Sequence, residues 1–209
     1  MKFVIGIDIG TTNTKAIAFT TSGSVLASAG VSYPVHTDSE GRHELDPDQL
    51  INAVQEVMRS MPSGEPAGVS FSCAFHSLIA VDQNGKPLTM AMTWADLRPS
   101  AVAKALKRSE AAHRIYQHTG TPIHAMSPLC KLLWLRDHKP DIFLRASRFI
   151  GIKEYIWWTL TGKYQVDHSI ASATGLFDIR RLQWYPEALA WTSIYHHCLS
   201  LFPTSTNCH

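Results

Sequence analysis

Apolar and largely β-branched residues concentrate in three runs at the start of the chain, over residues 3–9, 14–20 and 25–32. Short segments rich in Gly, Ser and Thr separate the three runs. Apolar runs of this length predict strands, and polar turns as short as these favour hairpins between them. The pattern therefore predicts a three-stranded antiparallel meander.

The spacing of apolar residues changes after Asp46. Leu50, Val54 and Val57 recur three or four positions apart, which is the period of an amphipathic helix. Asp46 is suited to the N-cap position, and Pro47 is suited to the first helical position, where its missing N–H group costs nothing. The sequence predicts one helix from residue 47 to the Pro-Ser-Gly segment that follows Met61.

Shorter strands and helices alternate over the remainder of the chain. We expect a buried strand at 67–73, further strands at 78–82, 88–93 and 149–152, and helices at 99–108, 128–137 and 154–160. After about Trp191 the periodicity fades, which predicts a loosely structured end. Three strands, a helix and then more strands and helices indicate a mixed α/β fold.

Composition narrows the partners that the chain could have. Hydrophobic residues make up 45% of its 209 residues, which is ample for a core, and the net charge is only +2. Because no basic stripe with interleaved aromatic residues occurs, no nucleic-acid partner is expected. No apolar run approaches membrane-spanning length, and the start of the chain does not resemble a signal peptide. With four scattered cysteines, these features predict a cytoplasmic protein with reduced thiols.

The turn between the first two predicted strands combines a carboxylate, a glycine and two threonines. Asp8 stands at the end of an apolar strand, where its carboxylate could hold Mg²⁺. Gly10 would let the backbone approach a phosphate, and Thr11, Thr12 and the turn amides would donate to its oxygens. An ordinary Gly/Thr turn with a structural aspartate is the alternative.

A second group of polar and aromatic residues follows two later strands. His76 comes just after the strand predicted at 67–73, and Trp94, Asp96 and Arg98 come after another. Imidazole and carboxylate groups can hydrogen-bond the hydroxyls of a polyol, and an aromatic face packs against its C–H groups. Taken singly, His76 could instead be a core or loop histidine, and Trp94 could be a packing residue.

Six segments occur in the order found in one known family. They are GIDIGTTNTK at 6–15, SFSCAFHSLIA at 70–80, TWADLR at 93–98, TGTPIH at 119–124, FIGIKEY at 149–155 and VDHSIASATGLFD at 166–178. Together they resemble the FGGY family of carbohydrate kinases. The resemblance implies an actin/hexokinase-type, ribonuclease H-like α/β domain with a mixed sheet and flanking helices. This N-terminal kinase domain would occupy residues 1–190, followed by an irregular tail at 191–209.

The resemblance also implies a role for each residue of the opening turn. Asp8 matches the acid associated with Mg²⁺, and Gly10, Thr11 and Thr12 match the turn that faces the phosphates of ATP. Lys15 is a weaker candidate for phosphate contact, because it begins the second strand and could equally point to solvent.

On the sugar side, His76 matches a position next to the substrate, and Trp94, Asp96 and Arg98 match a sugar-binding cluster. Arg98 could pair with the carboxylate of a sugar acid, and an ordinary salt bridge is the alternative. Asp167 lies in a matching segment and is interpreted as a structural acid.

Within the family, the motifs are most similar to those of members that phosphorylate gluconate with ATP. Xylulose, glycerol or another polyol is the alternative substrate, and a non-catalytic sugar-binding or partner-binding module is the alternative outside this class. An actin-like or chaperone-type ATPase is a third possibility.

The family's catalytic base is an aspartate in a Gly-Asp loop of a C-terminal lobe, and no aspartate follows Asp178 here. We therefore expect a fragment, a truncated reading frame or one part of a split enzyme, inactive by itself. The histidines and cysteines of the last 14 residues, including Cys198, Cys208 and His209, could bind zinc, although their spacing fits no standard template.

Overall fold

The structure is a computed structural model that describes residues 2–203. Its strands are β1 (Phe3–Ile9), β2 (Asn13–Thr20), β3 (Val25–Ser32), β4 (His36–Thr37), β5 (His43–Leu45), β6 (Gly68–Cys73), β7 (Ile79–Val81), β8 (Ala91–Met92), β9 (Arg148–Ile150), β10 (Phe177–Asp178) and β11 (Gln183–Trp184). Its helices are α1 (Pro47–Arg59), α2 (Ser100–Lys107), α3 (Ala111–Thr119), α4 (Pro128–His138), α5 (Pro140–Arg145), α6 (Ile152–Thr161), α7 (His168–Ser172) and α8 (Pro186–Thr192), followed by a 3₁₀ turn at His196–Cys198.

The main sheet has four strands in the order β3-β2-β1-β6. The pairs β1–β2 and β2–β3 are antiparallel, which confirms the predicted meander. Strand β6 lies parallel to β1, with Asp8 opposite Ser72. Because the two parallel strands end at the same edge of the sheet, the turn after β1 and the loop after β6 lie side by side.

Helix α1 covers one face of this sheet. The side chain of Asp46 accepts a hydrogen bond from the backbone N–H of Asp48, so the predicted N-cap is confirmed. Apolar residues of α1 and α6 form one core with the inward residues of β1 and β2, among them Ile5, Ile7 and Ile9. The alternate residues of β1, including Asp8, are exposed on the opposite face.

A second core lies among the helices that follow. It joins residues of α2, α3, α4 and α8 with Phe149 of β9. Helix α4 is buried on nearly all sides, from Pro128 to Leu135. Lys131 of this helix contacts the backbone of His76, in the loop after β6.

Strand β6 differs from the prediction of a buried strand. It forms an edge of the sheet, and only Cys73 among its six residues is buried. The apolar run was correctly recognised as a strand, but the run itself does not show whether a neighbour covers it. Similarly, the strand predicted at 88–93 shortens to Ala91–Met92.

The chain after Trp191 is packed rather than loose up to residue 201. Ile194 and Leu199 are buried in the second core, and Leu201 forms a parallel bridge with Gln165. Four helices, α3, α5, α7 and α8, have no counterpart in the sequence prediction. Each is nine residues or fewer, and an apolar period is weak over so few residues; α2 is equally short but follows Pro99, which marks a helix start.

Candidate active site

An open groove of about 530 Å³ lies where the turn after β1 meets the loop after β6. A hydrogen bond from the backbone N–H of Ala74 to the carbonyl oxygen of Ile9 (2.8 Å) joins the two segments. The groove is lined by Asp8, Ile9, Gly10, Thr11, Ser72, Cys73, Ala74, Phe75, His76, Trp94 and Met126. The structure thus brings three of the five phosphate-side candidates, Asp8, Gly10 and Thr11, together with two of the four sugar-side candidates, His76 and Trp94.

The turn after β1 is tightly closed. The N–H group of Gly10 donates to the carbonyl oxygen of Asn13 at 2.9 Å, and a Cβ atom at position 10 would lie 3.1 Å from that oxygen. A side chain here would crowd the turn, which explains the glycine. Because the Gly10 amide is engaged, the donors that the turn can offer to a phosphate come from Thr11 and Thr12. Thr11 lines the groove, whereas Thr12 lies outside it.

Asp8 is exposed at the end of β1, and Lys15 stands opposite it in β2. The stem of Lys15 leans the other way, with its Cγ 3.6 Å from where a Cβ of Gly30 in β3 would stand. Within residues 2–203, no salt bridge joins Lys15 to Asp8. The carboxylate of Asp8 is therefore available to a cation, and Lys15 does not line the groove.

His76 is held in an unusual conformation at the groove. Its backbone φ is 61°, in the left-handed region that few side-chain-bearing residues adopt. Its Nδ1 lies 2.7 Å from the carbonyl oxygen of Ala173, which can only accept, so Nδ1 carries a proton. Burial lowers the pKa of the His76 imidazole, which favours the neutral ring. In the neutral ring protonated at Nδ1, Nε2 is a hydrogen-bond acceptor and can accept from a hydroxyl.

Trp94 presents an aromatic surface to the groove rather than to the core. It is 52% exposed, and so is Phe75. Single exposed aromatic residues are common, but two at one concave site form an apolar wall. The structure therefore does not support the packing alternative for Trp94.

Asp96 and Arg98 do not reach the groove, contrary to the predicted sugar-side cluster. Asp96 is completely buried, and its carboxylate accepts from Nε of Arg98 at 3.0 Å and from the backbone N–H of His43 at 3.1 Å. Arg98 also pairs with Glu44, and its guanidinium lies 4.6 Å from the centre of the Trp134 ring. These contacts match the salt-bridge alternative for Arg98.

Sequence reasoning did not identify the residues that support the groove from behind. The hydroxyl of Tyr33 donates to the carbonyl oxygen of Gly10 at 2.7 Å and lies 3.2 Å from Oγ1 of Thr14. The buried Lys131 donates to the carbonyl oxygens of His76 and Met126. Tyr33 lies 23 positions from Gly10, and Lys131 lies 55 positions from His76, so no local sequence signal marks these two contacts.

Cys73 also lines the groove, but its thiol is unreactive. Burial raises the pKa of its thiol to about 12. Since the thiolate is the reactive form of cysteine, Cys73 is not a nucleophile at neutral pH. The polar side chains of the groove that remain are Asp8, Thr11, Ser72 and His76.

Comparison with known proteins identifies the family of the chain. Residues 3–209 match the profile described as the FGGY family of carbohydrate kinases, N-terminal domain. The chain belongs to this family. Gluconokinases from Bacillus licheniformis and Bacillus subtilis (strain 168) are 41% and 40% identical to it, over 94% and 98% of this chain. The chain spans 42% and 41% of the length of these two relatives.

Solved structures of family members share the fold. The crystal structures of a ligand-bound xylulose kinase and of a gluconate kinase, both from Lactobacillus acidophilus, match with TM-scores of 0.94 and 0.93 at 36% identity. Each match covers 99% of this chain, and 43% and 42% of those chains. The predicted ribonuclease H-like, actin/hexokinase-type fold is confirmed.

Among the described residues, the groove has the ligands for Mg²⁺ bound partly by substrate and water, and lacks those for a metal bound by protein side chains alone. Mg²⁺ usually keeps several waters and binds one or two carboxylates together with substrate phosphates. Asp8 provides one unpaired carboxylate at the open groove, which fits that mode. In the described part of the chain, no group of three His, Cys, Asp or Glu residues is placed to hold a metal. Cys208 and His209, named for the zinc alternative, lie outside the described residues.

Of the helices within residues 2–203, none combines the length and the apolar character needed to cross a bilayer.

Proposed function

We propose that this chain is the substrate-binding N-terminal part of an ATP-dependent kinase for gluconate. In this proposal, the groove holds the sugar acid beside the γ-phosphate of ATP, and the phosphate is transferred to the C6 hydroxyl. The observation that carries the proposal is that Asp8 and Thr11 share one groove with His76 and Trp94. A phosphate-facing turn and a polyol-binding wall are the two things that a sugar kinase must bring together.

On the phosphate side, Asp8 would hold Mg²⁺, and Thr11 and Thr12 would donate to phosphate oxygens. When bound, Mg²⁺ would offset the negative charge of the phosphate oxygens. Lys15 is a weaker candidate, because its stem leans toward Gly30 and away from the groove. It could still reach a phosphate that extends over the exposed face of the sheet.

On the sugar side, Nε2 of His76 would accept a hydrogen bond from a substrate hydroxyl. Trp94 would pack against the C–H surface of the sugar chain. Because Arg98 is engaged with Asp96 and Glu44, it is not proposed as the partner of the substrate carboxylate. In the described part of the chain, no Lys or Arg lines the groove, so the carboxylate would point to its open side.

During transfer, the C6 oxygen would bond to the γ-phosphorus while the bond from that phosphorus to the bridging oxygen of ADP breaks. The hydroxyl proton would pass to a general base. The family resemblance places this base in a C-terminal lobe, so we propose such a lobe as the partner of this domain. These 209 residues alone would then bind ligands but not transfer the phosphate. We place this reaction in the cytoplasm, since Cys73, Cys130 and Cys198 are free thiols.

Gluconate is preferred over xylulose because of the sequence relatives. The two gluconokinases are 41% and 40% identical to this chain, whereas the xylulose kinase of Staphylococcus xylosus is 33% identical. The matched crystal structures do not separate the two substrates, because both are 36% identical to the chain. Xylulose is therefore the second candidate, and the experiment must compare the two sugars directly.

The proposal is tested by calorimetric titration of the chain with gluconate, xylulose and MgATP, together with a coupled assay for ADP. We expect saturable binding of gluconate, weaker binding of xylulose and no ADP release. Asp8→Asn should weaken binding of MgATP and leave gluconate binding in place. His76→Gln should weaken binding of gluconate and leave MgATP binding in place.

Each result would distinguish one alternative. Tighter binding of xylulose than of gluconate would transfer the assignment to the second candidate. ATP hydrolysis that no polyol changes would contradict a sugar kinase. Rapid sugar-dependent turnover by the 209-residue chain would show that the base lies within it, against the proposal.

A further inference from the structure

Lys131 is a fully buried lysine that the proposed chemistry does not use. It lies in α4 with no exposed surface, surrounded by the apolar residues of the second core. Its ammonium donates to the carbonyl oxygen of His76 and, at 2.7 Å, to that of Met126. A lysine is among the residues least often buried, so its presence here needs an explanation.

Neutralising a buried acid does not explain Lys131. Among the ion pairs of residues 2–203, none includes Lys131 within 4.0 Å of a carboxylate. Burial lowers the pKa of Lys131 to about 7, in spite of the opposing charge of Asp96. The site therefore disfavours the charged ammonium, and an apolar residue would suit a core position better. What Lys131 supplies is hydrogen-bond donors directed at two carbonyl groups.

The two carbonyl groups belong to residues on two separate walls of the groove. His76 follows β6, whereas Met126 precedes α4, and both line the groove. His76 has a φ of 61°, a conformation that requires support from its surroundings. On one side, the ammonium of Lys131 donates to the carbonyl oxygen of His76. On the other side, Nδ1 of His76 donates to the carbonyl oxygen of Ala173 at 2.7 Å.

We infer that Lys131 is a positioning residue of the groove, which fixes the backbone of His76 to that of Met126 and so sets the direction and tautomer of the His76 imidazole. Lys131 does not touch the sugar or the phosphate in this inference. It acts through His76, whose Nε2 is left facing the substrate as an acceptor. We call the hydrogen bonds from Lys131 to the carbonyl groups of His76 and Met126 the Lys131 clamp. Its relevance to catalysis rests on the proposed function, but the clamp itself can be observed without any ligand.

The test uses the 209-residue chain with ¹⁵N-labelled histidines. The imidazole signals of His76 are assigned from their loss in His76→Gln, and long-range ¹H–¹⁵N spectra report which ring nitrogen carries the proton. In the wild-type chain we expect a single tautomer, protonated at Nδ1. Lys131→Met keeps the length of the side chain but removes its donors. In this variant we expect a mixture of tautomers and about tenfold weaker gluconate binding.

Leu135→Ala is the matched control, because Leu135 is buried one turn further along α4 and does not line the groove. It should lower stability without moving the His76 signals. If Lys131→Met also lowers stability without moving the His76 signals, and keeps the Nδ1 tautomer and the gluconate affinity, the inference is wrong. If Lys131→Met does not fold, the Nζ protons of Lys131 in a wild-type chain labelled with ¹⁵N at lysine decide. They should be protected from exchange at neutral pH, and rapid exchange would overturn the clamp.

The clamp and the proposed function fail in different ways. A wild-type chain that shows the single tautomer but binds no sugar would retain the clamp and contradict the sugar site. If wild type and Lys131→Met bind gluconate equally well, the proposed function stands and the positioning role of Lys131 is contradicted.

Discussion

Trp94 and Trp134 are similar side chains with opposite surroundings. Trp94 is 52% exposed at the groove, whereas Trp134 is buried in α4 beneath the guanidinium of Arg98. We expect Trp94→Ala to change the free energy of unfolding by less than about 1 kcal/mol while weakening sugar binding. Trp134→Ala should cost about 3–5 kcal/mol. Urea unfolding and calorimetry on both variants make the comparison, and a large loss of stability in Trp94→Ala would assign it to packing.

Arg98 gives a second prediction for a single residue. Arg98→Met leaves the buried Asp96 without its cation, and breaking a buried pair in this way costs about 3–5 kcal/mol. We expect urea unfolding to show that loss. A variant with unchanged stability that no longer binds gluconate would mean that Arg98 is a substrate ligand after all.

The turn between β1 and β2 depends on support from Tyr33, which follows β3. Tyr33→Phe removes the hydroxyl that bonds the carbonyl oxygen of Gly10, at a cost of about 1 kcal/mol. We expect faster hydrogen exchange of the Gly10 amide and weaker MgATP binding. If exchange at Gly10 is the same in both chains, the turn holds its shape without Tyr33.

Helix α6 begins at a buried carboxyl group that gives a prediction for pH. The side chain of Glu154 accepts from the N–H of Gly151 at 2.6 Å, and burial raises the pKa of Glu154 from 4.5 to about 7. Between these values the folded chain holds a proton that the unfolded chain has released, so stability falls as the pH rises.

Glu154→Gln removes this dependence. We expect the variant to be more stable than the wild type at pH 8, by on the order of 1–3 kcal/mol, with the difference vanishing near pH 4. Thermal unfolding at both pH values provides the measurement. A difference that is the same at the two pH values would show that Glu154 does not titrate as described.

The sequence predicted the elements whose signals are local. Residues 3–9 and 25–32 were predicted as strands with the bounds that the structure shows, and the start of α1 was correctly placed at Pro47. Apolar runs, turns and caps are contained within a few neighbouring residues. The exposure of β6 depends instead on which strands lie beside it, which its own six residues do not specify.

The same distinction applies to the site. Asp8, Gly10 and Thr11 lie in one turn, and their place at the groove was predictable. The roles of Arg98 and Lys131 depend on their contacts with Glu44 and His76, which lie 54 and 55 positions away. A charged residue in a sugar-kinase motif could be a ligand or a support, and only its contacts separate the two.

For the molecule as a whole, the proposed function requires that one groove joins the phosphate turn to a sugar-binding wall. The most direct test is to titrate the ¹⁵N-labelled chain with gluconate and follow its amide and indole signals. We predict saturable shifts at Gly10, Thr11, Phe75 and His76 and at the indole N–H of Trp94. Shifts that cluster around Arg98, or no shifts at any gluconate concentration, would contradict a sugar site in this groove.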